Sequence, residues 1–218
     1  MGSDLILYGY WRSSAAYRVR IGLNLKGLVY RQEAVSLLRS GGEQHAPAYL
    51  ELNPQGLVPL LVHGGWRIAQ SLAILEYLDE QFAEQPLLPV EPPARALVRA
   101  LALHIACDIH PLNNLRVLQY LEQPLGLAQA ARDDWYRHWL ALGLQALERG
   151  VEGFAGDLSL GEQPGYFEAC LIPQLYNARR FACPLEALPR LLAIEARCLA
   201  LPAFAAAAPE RQADAPPA

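Results

Sequence analysis

Apolar and polar positions change their period twice along the chain, and the changes outline its elements. Residues 5–8, Leu-Ile-Leu-Tyr, are a short and wholly apolar run, the mark of a strand buried on both faces. Beyond them Ala15, Val19 and Leu23 fall on one helical stripe with Tyr17, Ile21 and Leu25 beside it, which predicts a helix running to about Lys26 and stopped by Gly27. Residues 29–35 read as a second strand, so that strand, helix and strand form a βαβ unit with a parallel pair. Leu52-Asn53-Pro54 closes a short helix, and Val58-Pro59 precedes the apolar run 60–62, where proline marks either a strand start or a cis turn. Gly64-Gly65 followed by 66–68 predicts a hairpin. Gln70-Ser71 then opens a helix over 72–82, with Leu72, Ile74, Leu75 and Leu78 opposite Glu76, Asp79 and Glu80.

After the prolines between 86 and 93 the period is helical throughout. The pattern predicts a long helix over 94–120 that Pro111 kinks just after His110, then helices over 127–149, 166–181 and 188–199. The Ala- and Pro-rich tail from 205 is expected to be disordered at its end. The organisation expected is a small α/β domain over 1–84, a linker over 85–93 and an all-helical domain over 94–218.

Composition narrows the function classes. A net charge of -4, with 18% of residues charged and no basic block, argues against nucleic acid as a partner. Arg99, His104 and Asp108 interrupt the best apolar run, so no membrane span is expected, and the first residues resemble neither a signal peptide nor a myristoylation site. Four cysteines, Cys107, Cys170, Cys183 and Cys198, lie far apart without a C-x-x-C pair. They indicate neither a zinc site nor a disulfide scaffold but reduced, mostly buried thiols, as expected of a cytoplasmic protein.

The candidate chemistry lies in the turn Trp11-Arg12-Ser13-Ser14, which joins the first strand to the first helix. One hydroxyl can cap the helix by accepting a backbone N–H, which leaves a second near the same positive end, where an anion is favoured. Both serines can equally be caps and nothing more.

Taken together, Trp11-Arg-Ser-Ser-x-x-x-Arg-Val-Arg20, Leu52-Asn-Pro54, Val58-Pro59 and Gln70-Ser-Leu-Ala-Ile74 resemble the zeta class of the cytosolic glutathione transferases, in that order and at that spacing. Cys107-Asp-Ile-His-Pro-Leu-Asn-Asn-Leu-Arg116, Leu171-Ile-Pro-Gln174 and Asn177-Ala-Arg-Arg-Phe181 extend the likeness over nearly the whole chain. Three positions depart from the class. Ala15 stands where a cysteine is usual, Tyr17 where a tryptophan is usual, and Gly165-Tyr-Phe-Glu168 where a Thr-x-x-Asp capping box is common.

The resemblance implies a thioredoxin-like N-terminal domain and a helical C-terminal domain in a homodimer. It implies glutathione as cofactor and a cis–trans isomerisation of maleylacetoacetate or maleylpyruvate, small dicarboxylic enediones met in aromatic amino acid catabolism. Ser13 would stabilise the glutathione thiolate, with Ser14 the purer cap and a second donor. Val58 would pair with the cysteinyl backbone, Gln70 and Ser71 would hold the γ-glutamyl carboxylate, and Gln44 would meet the glycyl end. His110, Asn114 and Arg116 are further glutathione contacts on this likeness. Arg12 and either Arg180 or Arg179 would fork onto the substrate carboxylates. A general conjugating transferase or dehalogenase, and a catalytically silent binding protein of the same fold, are the alternatives.

Overall fold

The computed structural model describes residues 4–154 and 156–217. The chain divides into two compact units, one running through Leu87 and resumed from Leu199, the other Leu88–Cys198.

In the first unit β1 (Ile6–Gly9) lies between β2 (Arg31–Ala34) and β3 (Leu60–His63), with β4 (Trp66–Ala69) outside β3, giving the order β2-β1-β3-β4. β1 runs parallel to β2, Leu7 opposite Gln32, and antiparallel to β3, Leu7 opposite Leu61. A parallel neighbour requires a crossover, which α1 (Ser14–Leu25) supplies. The β3–β4 hairpin turns through Gly64 and Gly65 at φ 53° and 88°, the left-handed pair that a two-residue turn demands. A short α2 (Pro47–Leu50) precedes the hairpin and α3 (Ser71–Gln81) follows it. Leu5, Leu7 and Leu61 of the sheet meet Val19 and Leu23 of α1 and Ile74 and Leu78 of α3, all 0% exposed, so both helices share one face. The helices approach closely at Gly22, where a Cβ would stand 2.2 Å from Leu75 Cδ2. The second strand is shorter than its apolar letters suggest, and Val29 lies exposed ahead of it.

α1 is buried almost all round, including Arg18 and Arg20, and Lys26 at its C-terminal cap is buried with them. Buried cations require acceptors, and each of these reaches a different part of the unit. Arg18 Nη1 donates to Ser71 Oγ at 3.2 Å. Arg20 donates through Nη2 to Trp11 O at 2.9 Å and through Nε to Ala207 O at 3.0 Å. Lys26 Nζ lies 3.4 Å from the Asp79 carboxylate, and Asp79 also accepts the Leu87 N–H at 2.6 Å.

The tail departs from expectation. Disorder is expected at the end of the tail from 205, whose last residue, Ala218, lies outside the described residues; up to there the chain after 199 forms α9 (Pro202–Ala207) and a 3-10 turn, Pro209–Arg211, within the first unit. Phe204 and Ala207 are 0% exposed, and Asn24 Nδ2 donates to Ala203 O at 2.9 Å. Small residues let α9 lie close to α1, a packing reason that composition alone does not show.

The second unit is helical: α4 (Pro92–Leu103), α5 (Leu115–Glu122), α6 (Gln129–Gly150), α7 (Tyr166–Arg180) and α8 (Pro189–Leu199). The single kinked helix expected over 94–120 is instead two. α4 widens into a π-helical turn, His104–Ile109, then tightens into a 3-10 turn, His110–Asn113, and the chain leaves helical geometry at Asn114. Pro111 lacks an N–H and its ring collides with the carbonyl one turn back, so the helix changes pitch and ends. Asn114 caps α5 anew, accepting the Arg116 N–H at 3.1 Å.

Buried carboxylates set two helix starts in this unit. Glu148 accepts the Arg190 and Leu191 N–H groups at 2.9 and 3.0 Å at the start of α8. Glu168 accepts the Gly165 N–H at 2.8 Å, the Ser159 N–H at 2.7 Å and the Ser159 hydroxyl at 2.5 Å. Glycine at 165 has no side chain for its half of a capping box, so Glu168 supplies the other half and pins the preceding loop as well. Burial pushes the Glu168 carboxyl above its ordinary range, against the lowering effect of its donors.

Candidate functional site

The strand-to-helix turn places Ser13 and Ser14 differently from the reading that made Ser14 the purer cap. Ser13 is the N-cap of α1, extended at φ −67° and ψ 118°, and its Oγ accepts the Ala16 N–H at 3.3 Å. Ser14 is the first helical residue and is buried. The sequence cannot distinguish two adjacent serines as caps, because the choice depends on which one keeps a non-helical backbone. Capping uses the Ser13 oxygen as acceptor and leaves its proton to donate. Ser13 therefore offers a hydroxyl proton at the positive end of α1, where an anion is also drawn by first-turn N–H groups without intrahelical partners. Arg12 sits beside it, half-buried, with its guanidinium 5.2 Å from the centre of the Trp11 ring.

The second anion corner is the start of α3. Gln70 is its N-cap, at φ 71°, and Ser71 is its buried first residue, so Ser71 is not the cap. A non-glycine residue held in the left-handed region carries strain of about 1–3 kcal/mol and persists only where its surroundings impose it. Here the Gln70 Nε2 donates to Gln55 Oε1 at 2.9 Å. The Arg18–Ser71 bond joins this corner to the second turn of α1, so the N-terminal halves of the two helices are tied together.

Between them runs the approach to β3. The Val58–Pro59 bond is cis. The Leu57 carbonyl accepts twice, from the Tyr49 hydroxyl at 2.7 Å and from Asn53 Nδ2 at 2.8 Å. Asn53 Oδ1 takes the Gln55 N–H at 3.2 Å, so one side chain holds both ends of the loop. Burial pushes the Tyr49 phenol up to about 12, keeping it a donor at any working pH. Among the described residues neither backbone group of Val58 has a partner, although the carbonyl beside it has two. A strand edge so held and left unpaired is what an extended peptide needs. Tyr49 and Asn53 were not among the expected site residues. The motif Leu52-Asn53-Pro54 was visible, but a positioning role needs the fold to reveal its acceptor.

Gln44 lies in a 3-10 turn, Glu43–His45, and is 8% exposed, its Oε1 buried with no hydrogen-bond partner among the described residues. Gly42, at φ 108°, lets the backbone lie against the Gln44 amide, where a Cβ would stand 2.5 Å from Nε2. An orphaned acceptor, an unpaired strand edge and two helix N-termini suit a ligand with amide and carboxylate groups.

The remaining expected residues belong to the second unit. His110 opens the 3-10 turn, the Asn114 oxygen is engaged as the cap of α5, and Arg116 is exposed in the first turn of that helix. Arg179 and Arg180 end α7. Arg179 forks onto Glu195 through Nε and Nη2. Arg180 Nη1 donates to Asn177 Oδ1 at 3.2 Å, and its guanidinium is 5.5 Å from the Phe181 ring centre. Phe181 in turn stacks on Tyr136 with centroids 3.5 Å apart.

Comparison with known proteins follows this geometry. Residues 7–86 match the family described as "Glutathione S-transferase, N-terminal domain". A "Probable maleylacetoacetate isomerase" of Vibrio cholerae is 54% identical over 97% of this chain and 99% of its own. The holo structure of a maleyl pyruvate isomerase, described as a bacterial zeta-class glutathione S-transferase, superposes with a TM-score of 0.92 at 42% identity, covering 97% of this chain and all (100%) of that one. A maleylacetoacetate isomerase of Methylobacterium extorquens AM1, with bound malonate and GSH, matches with a TM-score of 0.92 at 41% identity over the same shares, 97% and 100%.

The loop before β3 supplies a stability test. Asn53→Ala removes a donor to Leu57 and an acceptor for Gln55 at once and should cost about 1–3 kcal/mol. Tyr49→Phe removes one of two donors to the same carbonyl and should cost no more than about 1 kcal/mol. Denaturant unfolding of both variants checks the order, and equal losses would show that Asn53 does not hold both ends.

Proposed function

The chain belongs to the zeta class of the glutathione transferase family, and from that premise we propose that it catalyses the glutathione-dependent cis–trans isomerisation of maleylacetoacetate or maleylpyruvate. One observation carries the assignment of chemistry: Ser13 caps α1 through its oxygen, so its proton and the helix N-terminus can act on the same anion. A thiol of ordinary pKa near ~8.5 is largely protonated at neutral pH, and both influences favour its ionised form. Bound glutathione supplies a thiolate that adds to the activated double bond, leaves it single while it rotates, and departs unconsumed from the trans product.

The chain's residues bind and orient. The unpaired backbone of Val58 takes the cysteinyl part strand-fashion, its edge fixed by Tyr49 and Asn53. The start of α3 at Gln70 and Ser71 receives the γ-glutamyl carboxylate, and the orphaned Gln44 amide oxygen can take an N–H near the glycyl end. Ser14, at the same helix end as Ser13, is a second donor. His110, Asn114 and Arg116 are further contacts in this reading, Asn114 through its amide nitrogen because its oxygen is used as a cap.

Arg12, beside Ser13, offers one carboxylate a planar fork. The second fork is assigned to Arg180 rather than Arg179, because Arg179 is already bidentate on Glu195. A positive group near the carbonyl that gains charge as the double bond is lost lowers the barrier electrostatically. The protein is proposed to act in the cytoplasm as a homodimer. No helix among the described residues is long and apolar enough to cross a membrane, and no disulfide joins the four cysteines.

Steady-state assays on both substrates test the reading directly, with glutathione counted before and after. Isomerisation leaves its amount unchanged, whereas conjugation or dehalogenation consumes it. Within the same assay Ser13→Ala should lower kcat by about 10²-fold at saturating glutathione and raise the pH at which bound thiolate forms. Activity equal to the parent would remove Ser13 from the mechanism.

Arg180→Lys keeps the charge and loses the fork. It should lower kcat/KM for the dicarboxylate by about 1.5–3 kcal/mol while leaving conjugation of a neutral aryl halide nearly unchanged. A parallel fall of both activities would assign Arg180 to the scaffold.

A further inference from the structure

The end of the chain is bonded to the turn that presents Ser13. The Trp11 N–H donates to Asp214 Oδ2 at 2.9 Å, across 203 positions of sequence. The Trp11 carbonyl accepts Arg20 Nη2 at 2.9 Å, and Arg20 Nε holds Ala207 O at 3.0 Å, so one guanidinium binds both the turn and the tail. The Ser13 N–H closes the turn on Tyr10 O at 2.9 Å. Every hydrogen bond just named lies within the first unit.

A loop between strand and helix has no ladder to hold its backbone, and its polar groups must find partners elsewhere. Here both polar groups of Trp11 are bound by ionisable side chains, and bonds to charged groups are the stronger kind. Ser13 follows two residues later. With Trp11 held at both groups, the turn loses the freedom that would let the hydroxyl and Arg12 wander, and displacement of a catalytic group by ~1 Å costs about 10²-fold in rate. The pair also balances charge. Arg20 is fully buried, and burial lowers its guanidinium to about 10, with Asp214 among the groups acting the other way. Arg20 Nη1 and Asp214 Oδ1 are both buried without a hydrogen-bond partner among the described residues.

We propose that the C-terminal segment is part of the glutathione site, with Asp214 a positioning residue that fixes the turn presenting Ser13 and Arg12 through the Trp11 N–H. The proposal rests on the reading of Ser13 as the thiolate-stabilising hydroxyl. It also gives the tail a purpose beyond covering α1: the turn that follows the last helix delivers a carboxylate to the turn where the chain's chemistry begins.

The test compares Asp214→Ala and Asp214→Asn in the full-length chain, with Ser13→Ala alongside. Three quantities are read: the pH titration of bound glutathione by its thiolate absorbance, kcat/KM, and amide hydrogen exchange at Trp11 without glutathione. In Asp214→Ala the thiolate should titrate at higher pH, kcat/KM should fall about tenfold, and Trp11 exchange should quicken by at least about tenfold. Asp214→Asn keeps an acceptor but loses the charge and should fall between the parent and Asp214→Ala in all three. An unchanged titration in Asp214→Ala overturns the proposal, even with lowered thermal stability, because Asp214 is then only a scaffold residue. Unchanged Trp11 exchange overturns it as well. If Ser13→Ala titrates like the parent, the Ser13 reading fails by itself, and Trp11 exchange still decides whether Asp214 holds the turn.

Discussion

A helix buried on nearly every side can carry cations only if each finds an acceptor, and the first unit depends on how α1 meets that requirement. Arg18, Arg20 and Lys26 are all buried. An unsatisfied buried charge is far costlier than a lost apolar contact, so α1 holds its neighbours in defined places. Arg18 sets the start of α3, Arg20 the turn before α1 and the tail behind it, and Lys26 with Asp79 the exit toward Leu87. The apolar cluster of Leu5, Leu7, Leu61 and their partners supplies cohesion. The cations supply direction, since a hydrogen bond selects an orientation and an apolar contact does not.

The site follows from that arrangement. Ser13 caps the helix whose second turn Arg18 ties to Ser71 at the start of α3, and the loop before cis-Pro59 is held through one carbonyl with two donors. Beside these held groups, among the described residues, the backbone of Val58 and one oxygen of Gln44 have no partner. Rigid groups around unpaired ones are how a site keeps its polar groups aimed before a ligand arrives.

The second unit uses the opposite sign for a similar end. Glu148 and Glu168 are buried acids that accept backbone N–H groups at helix starts, where the positive end of a helix favours a carboxylate. Glu168 also shows how a departure from a family pattern is absorbed. With glycine at 165 the reciprocal side-chain bond is absent, and the Ser159 bonds add two further donors to the same carboxylate.

The sequence by itself determined the order of elements, the strand–turn–helix corner with its serines, the proline before β3, and the break in period near 85–93. These rest on interactions between residues a few positions apart, which periodicity and turn chemistry record. The tertiary structure alone decided that Ser13 rather than Ser14 is the cap, because the two differ only in backbone angles. It decided that Pro111 ends a helix that its neighbours could have continued, and that Arg179 forks onto Glu195 while Arg180 donates to Asn177. Above all it decided the fate of the tail. The letters Ala and Pro after 205 carry no local signal for order, and Asp214 gains its meaning only from Trp11, 203 positions away in sequence and 2.9 Å away in space. Pairings of that span leave no trace in a local pattern, since packing and not periodicity brings their partners together.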